Sequence, residues 1–164
     1  MLRSMILLAS MAAGVAHAGT AQVHFVDPDR FTDADRAGFG TVERQRTLDA
    51  LQRKFETLAA RHLAADQTLR VEVLDVDLAG ELKMSRVGLH DTRVLKGRAD
   101  VPRIEFRYRV QRAGAVIASG EERLAALDYL GGHYRSGSDA VLPHEGRMLA
   151  RWFEQRFAAA PQRQ

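Results

Sequence analysis

The sequence contains no cysteine. This absence excludes a cysteine nucleophile, a thiolate metal site, a redox-active dithiol and any disulfide. It also excludes attachment of a lipid to a cysteine after an export signal. Stability must therefore come from ordinary packing of apolar side chains.

Blocks of like charge are also absent. The 24 basic and 21 acidic residues give a net charge of +3, with arginines scattered among acids along the whole chain. This pattern indicates a solvated surface of mixed charge rather than the clustered basic patch that binds nucleic acid. We therefore expect no nucleic-acid partner, and no pattern in the sequence predicts a cofactor.

The chain lacks an apolar run long enough to cross a membrane. The run at 5–15 is about eleven residues, whereas a spanning helix needs about 20. Arg3 precedes it, and Ala16, His17 and Ala18 follow, with small residues where a signal peptidase cleaves. We predict a signal peptide over 1–18, cleaved between Ala18 and Gly19, which favours a periplasmic or secreted protein over the alternative of an N-terminal core helix.

The rest, 19–164, is predicted to be one domain with two helices. Apolar residues recur three and four positions apart in two segments, which is typical of helices that bury one face. The first spans 41–63, and the second spans 143–157 with Pro143 in its first turn. The predicted buried stripes comprise Leu48, Leu51, Phe55, Leu58 and His62 in the first helix and Met148, Leu149, Trp152, Phe153 and Phe157 in the second.

Alternating apolar residues predict strands at 22–26, 68–78 and 103–110, and the last of these has the cleanest alternation. In the second strand the apolar phase slips by one residue after Val73, which indicates a β-bulge or a strand buried on both faces. The order of elements predicts an α+β fold: a two-layer sandwich in which two helices pack on one face of a mostly antiparallel sheet.

A hairpin is predicted to follow the third strand. Arg112, Ala113 and Gly114 fit a three-residue loop with glycine in the left-handed position. That loop places Val116, Ala118 and Gly120 opposite Val110, Tyr108 and Phe106, so that small residues face large ones.

The loop from His133 to His144 is the first candidate site. Its Tyr134, Arg135, Ser136 and Asp139 are predicted to bind a ligand, and Arg135 beside serines and glycine amides suits an anion. The structural alternative is that Ser138 or Asp139 caps the last helix while Tyr134 folds over the core. The enzymatic alternative is a hydrolase or a metal-dependent enzyme that uses His133, Ser136, Asp139 and His144.

Two further clusters of charge are candidates. Arg107 and Arg109 lie on the polar face of the third strand and are a predicted partner surface, with Glu121 placed to neutralise part of it. Carboxylates at 75, 77 and 81 could hold calcium, although solvated acids beside a bulge are the simpler interpretation. No histidine pair has the spacing of a zinc site; His62 is predicted to line the buried stripe, and His24, His90, His133 and His144 to lie at the surface.

Several blocks of the sequence resemble an exported bacterial family, the domain of unknown function DUF3016. The matching blocks are residues 23–28, 31–33, 71–81, 102–105, 119–122 and 145–153, together with Tyr129, Ser136, Ser138 and Asp139. One departure is Gly146, where the family pattern has lysine. The resemblance implies a periplasmic or secreted single domain from a Gram-negative bacterium, and it brings no activity, ligand or catalytic residue.

More loosely, the hairpin followed by a helix resembles small envelope lipoproteins that assist outer-membrane assembly, whose lipid attachment this chain lacks. Together these features favour a non-enzymatic module that binds another cell-envelope protein or an anionic ligand. The sequence leaves the oligomeric state open.

Overall fold

The computed structural model describes residues 18–35, 40–83, 92–97, 100–130 and 142–157. In chain order the elements are strand β1 (Thr20–Phe25), helix α1 (Thr41–His62), strands β2 (Gln67–Asp77), β3 (Glu81–Lys83), β4 (Thr92–Val94), β5 (Arg103–Arg112) and β6 (Ala115–Ala125), and helix α2 (Pro143–Phe157). A single 3-10 turn, Pro28–Arg30, follows β1. The predicted helices and main strands are thus confirmed.

The main sheet has the order β1-β2-β5-β6. Strands β2, β5 and β6 are antiparallel neighbours, whereas β1 pairs parallel to β2 because α1 carries the chain back across the sheet between them. Strands β3 and β4 form a separate two-stranded hairpin. The predicted α+β sandwich is confirmed, with one parallel pair in an otherwise antiparallel sheet.

Both helices cover the same face of the sheet. Val71 and Val73 of β2 lie opposite Tyr108 and Phe106 of β5, and all four side chains are buried. The ring of Phe106 makes edge contacts with Phe55 of α1 (5.5 Å between centroids) and with Trp152 of α2 (4.9 Å). A single aromatic cluster therefore joins the sheet to both helices.

The predicted bulge in β2 is present. The pairing of β2 with β5 shifts between Val73 and Asp75, so that Val73 faces Phe106 and Asp75 faces Glu105. Leu74 is the additional residue, and the shift returns Val76 to the buried face. This bulge explains why the alternation of apolar residues in the sequence shifts by one position after Val73.

The predicted register of the β5–β6 hairpin is wrong by two residues. Gly120 lies opposite Tyr108 rather than Phe106, and Ala118 lies opposite Val110 rather than Tyr108. Two features cause the difference. The turn has only two central residues, Ala113 and Gly114, both with positive φ (48° and 82°), and a second bulge follows it in β6.

The complementarity that motivated the predicted register survives in the observed one. The ring of Tyr108 lies against Gly120, where a Cβ atom would be only 2.9 Å from Cε1 of the tyrosine. Tyr108 is 2% exposed, since Trp152 packs edge-on against its ring. Gly120 is therefore the position at which β6 leaves room for this buried aromatic side chain.

Candidate functional site

The outer face of the main sheet, which no described helix covers, is the candidate site. Pairing of the four strands arranges its side chains in rows. One row consists of His24, Glu72, Arg107 and Glu121, and the next consists of Gln22, Arg70, Arg109 and Ser119. We call this surface the open face.

Most arginines of the open face are neutralised by a carboxylate on a neighbouring strand or loop. Arg107 Nε donates to Glu121 Oε2 at 2.9 Å, and Arg123 Nε lies 2.7 Å from Glu105 Oε1. Two more pairs follow the same pattern: Arg103 with Asp77 at 2.8 Å, and Arg112 with Asp66 at 3.0 Å. The predicted role of Glu121 is thus shown, and its hydrogen bond raises the pKa of the Arg107 guanidinium.

Arg70 and Arg109 differ from these arginines. They are direct cross-strand partners on β2 and β5, both are exposed, and neither has an ion pair within the described part of the chain. Their neighbours in the row, Gln22 and Ser119, are uncharged. Like charges placed directly opposite each other destabilise a sheet. This pair is therefore a local concentration of positive charge that no described carboxylate neutralises through an ion pair.

The open face also carries apolar side chains next to this pair. Val116 lies opposite Gln111, one row beyond Arg109, and Ile117 is the additional residue of the β6 bulge. They are 52% and 48% exposed. A surface that combines guanidinium groups with exposed aliphatic side chains suits a protein partner better than a free ion.

The acids considered as possible calcium ligands make other contacts. Asp75 accepts hydrogen bonds from the backbone N–H and the hydroxyl of Thr32, each at 2.7 Å. Asp77 pairs with Arg103, although burial raises the pKa of this carboxyl overall. Glu81 pairs with Lys96, which lowers the pKa of Glu81. In the ranges that the structure describes, no three acids or histidines converge as metal ligands.

The predicted ligand loop cannot be placed. Tyr134, Arg135, Ser136 and Asp139 lie outside the described residues, as do the proposed cap Ser138 and the histidines at 90 and 133. Of the four residues in the enzymatic alternative, only His144 is described.

His144 is buried rather than at the surface, which corrects the prediction from sequence. Its ring packs edge-on against Tyr129 with 4.8 Å between centroids, and its Nδ1 lies 3.1 Å from the Tyr129 carbonyl oxygen. The same carbonyl accepts from Arg147 Nη2 at 2.8 Å. His144 lies at the wall of a cleft of about 230 Å³ between the end of β6 and α2. Its contacts with Tyr129 fix the turn that contains Tyr129 to this helix.

The burial of His144 predicts a pH dependence of stability. Burial disfavours the imidazolium and lowers the pKa of His144, so the unfolded chain binds a proton there that the folded chain does not. The stabilisation is complete above the unfolded pKa of about 6.5 and is lost as the pH falls from that value towards the lower pKa of the folded state. We expect His144→Gln to show a smaller loss of unfolding free energy than the parent between pH 7.5 and pH 5.5, as measured by urea titration. An equal loss in both proteins would contradict this assignment.

Two polar residues that the sequence does not single out, the buried Glu145 and the partly buried Arg93, also join segments far apart in the chain. Glu145 accepts a hydrogen bond from the backbone N–H of Ala79 at 2.9 Å, although it is only 3% exposed. Arg93 of β4 donates to the carboxylate of Asp33 and to the carbonyl oxygens of Asp35 and Gly80. No local sequence signal marks either residue, because their partners are distant in sequence.

Fold and surface together define a class: a small two-layer α+β sandwich with one face of its sheet uncovered by the described helices. The chain belongs to the family described as protein of unknown function (DUF3016), whose sequence profile matches residues 19–155. The predicted family is thus confirmed. No curated protein matches the sequence significantly.

Among solved structures, the fold is similar to the crystal structure of a Xanthomonas campestris protein of the family DUF330. The two sequences are 13% identical, the match covers 85% of this chain and 80% of the other, and the TM-score is 0.40. Within the described ranges, no helix combines the length and the apolar character that a bilayer-spanning helix requires.

Proposed function

We propose that this protein is an exported, non-enzymatic binding module that holds an acidic surface of another cell-envelope protein against Arg70 and Arg109. The observation that carries the proposal is the uncompensated arginine pair at the centre of the open face. Four other arginines on or beside this face have carboxylate partners, so the exception is specific to one row. Violations of local stability rules concentrate at functional sites.

The chemistry of the pair favours a carboxylate-bearing partner. Each guanidinium is a planar fork of donors that matches a carboxylate in two parallel hydrogen bonds. Gln22 and Ser119, on either side of the two arginines, add neutral donors in the same row. Val116 and Ile117 add apolar contact area one row away, which makes the surface suited to a folded acidic partner.

Export is the second part of the proposal. It is supported by the signal-like residues 1–18, by the family match that begins at residue 19, and by the main sheet, whose first strand begins at Thr20. Cleavage between Ala18 and Gly19 would leave strand β1 intact, because Gly19 precedes its first residue. The nitrogen of Gly19 donates a long hydrogen bond to the Leu63 carbonyl oxygen (3.4 Å). Intact mass spectrometry of protein recovered from its host tests the cleavage site.

The arginine pair predicts binding of an acidic peptide. We expect a glutamate-rich peptide, titrated at low ionic strength and followed by calorimetry, to lose about tenfold or more in affinity to the R70A/R109A variant. The matched control is R53A/R61A, which removes the same charge from exposed positions on α1. Added salt should weaken binding to the parent protein.

Two outcomes would contradict the proposal. One is equal affinity of the parent and R70A/R109A for the peptide. The other is an equal loss in R53A/R61A, because that result would mean that net charge alone, rather than the open face, attracts the peptide.

A further inference from the structure

Strand β6 forms a long edge of the main sheet that no described segment pairs with on its outer side. It pairs with β5 on one side, and no described strand pairs with its other side. The outer edge of an 11-residue strand carries a row of backbone donors and acceptors that a further strand can pair with. The opposite edge, β1, is only 6 residues long and runs into a turn containing Pro28.

Two of the usual devices that block an exposed edge are absent from β6, and a third, a bulge, occurs only at Ile117. The strand contains neither proline nor lysine, and its charged residues are confined to 121–123. The segment 115–120 is neutral, and Val116 and Ile117 are about half exposed. Such an edge is a site for strand pairing, and the sequence of β6 itself indicates which strand fits.

We propose that β6 pairs antiparallel with β6 of a second copy of this chain, about a two-fold axis at Gly120, to give a continuous eight-stranded sheet. Gly120 is the midpoint of the 115–125 strand, so this register overlaps the two strands along their full length and pairs them regularly over 118–122, between the two bulges at Ile117. Ser119 then lies opposite Glu121 of the second copy, and Ile117 lies opposite Arg123, whose aliphatic stem can cover it. No two like charges face each other.

Neighbouring registers are less favourable. An axis at Glu121 or Glu122 places a carboxylate directly opposite its own copy, which is destabilising. An axis at Ala118 pairs only the segment 115–121 and leaves the rest of the edge bare. An axis at Ser119 opposes no like charges but pairs only the segment 115–123. The register centred on Gly120 is the one that combines full overlap of the two strands with no facing like charges.

This register also brings opposite charges from the two copies together. Arg109 neighbours Ser119 on the adjacent strand, and Glu121 of the second copy would lie just beyond that small side chain. Arg70 stays more distant, and Glu121 is already hydrogen-bonded to Arg107 of its own copy. The row therefore keeps an excess of guanidinium groups, and the dimer would present two arginine pairs on one extended open face.

The dimer is tested by the mass of the purified protein in sedimentation equilibrium over a range of concentrations. We expect a mass twice that of one chain, and a dissociation constant raised about tenfold or more by Ile117→Lys, because an edge lysine opposes strand pairing. Leu127→Lys is the matched control: Leu127 is 67% exposed but lies beyond the end of β6. A monomer at all concentrations, or a dimer that Ile117→Lys leaves unchanged, would overturn the proposal.

The register is tested by disulfide cross-linking, for which the absence of native cysteine is an advantage. Mixed S119C and E121C proteins should form a cross-linked heterodimer under oxidation, because these positions face each other across the axis. Mixed S119C and R123C proteins should not. The reverse result would overturn the register. The tests of the dimer are independent of the proposed acidic partner. A monomer could still bind the glutamate-rich peptide, and a dimer could fail to bind it.

Discussion

Replacing Phe106 by alanine is expected to lower the free energy of unfolding by about 3–5 kcal/mol, as for other fully buried phenylalanines. Phe106 is 0% exposed and lies at the centre of the sheet. Its ring contacts Phe55 of α1 and Trp152 of α2, and it lies 6.5 Å from the ring of Tyr108. The substitution would leave a cavity where both helices meet the strands. Urea titration followed by tryptophan fluorescence measures the loss.

The control for this substitution is Leu127→Ala, which removes an exposed apolar side chain. We expect that variant to remain within about 0.5 kcal/mol of the parent. If Phe106→Ala were as stable as Leu127→Ala, the aromatic cluster would not be the contact that joins the two layers.

Replacing Arg93 by alanine is expected to be nearly as costly, at about 2–4 kcal/mol, somewhat less than for a fully buried ion pair because Arg93 and Asp33 are partly exposed. Its Nη1 donates to Asp33 Oδ2 at 2.8 Å and to the Gly80 carbonyl oxygen at 2.7 Å, and its Nη2 donates to the Asp35 carbonyl oxygen at 2.7 Å. The side chain is only 16% exposed. Removing it leaves a half-buried carboxylate and several carbonyl oxygens without their hydrogen-bond donor. It also releases the β3–β4 hairpin from the segment after β1.

Arg93→Lys separates the charge from the shape of the guanidinium. A lysine restores the positive charge near Asp33 but cannot reproduce the planar fork that reaches the Asp33 carboxylate and three carbonyl oxygens. We expect a loss of about 1–3 kcal/mol for this variant in urea titration, between the parent and Arg93→Ala. Equal stability of Arg93→Ala and the parent would show that these hydrogen bonds contribute nothing to folding.

The periodicity of the sequence was sufficient to predict both helices, the three long strands and the bulge after Val73, because each leaves its signature within a few residues. It was insufficient for the direction of β1, which depends on how α1 returns the chain. The predicted hairpin register was wrong because Ala113 adopts a positive φ of 48°, which is uncommon for a residue with a Cβ atom. A single additional residue in β6 then moved every later pair.

The candidate site was predictable only in part. The alternation of apolar and polar residues in β5 predicts that Arg107 and Arg109 lie on the polar face. The residues next to them in sequence do not indicate which of the two has a carboxylate partner. Arg107 is neutralised by Glu121, whereas Arg109 faces Arg70, a residue that nothing in its own segment singles out. That distinction depends on the register between β2 and β5, so it emerges only from the three-dimensional structure.

The most direct test of the proposed function is photo-crosslinking in living cells. A photo-reactive amino acid at Gln22, in the row of Arg70 and Arg109, should give a defined adduct with an acidic envelope protein, and the adduct should disappear when both arginines are replaced by glutamate. The same probe at Gln52, exposed on α1, is the control and should give no such adduct. An adduct at Gln22 that survives the charge reversal, or one that forms only at Gln52, would contradict binding through the open face.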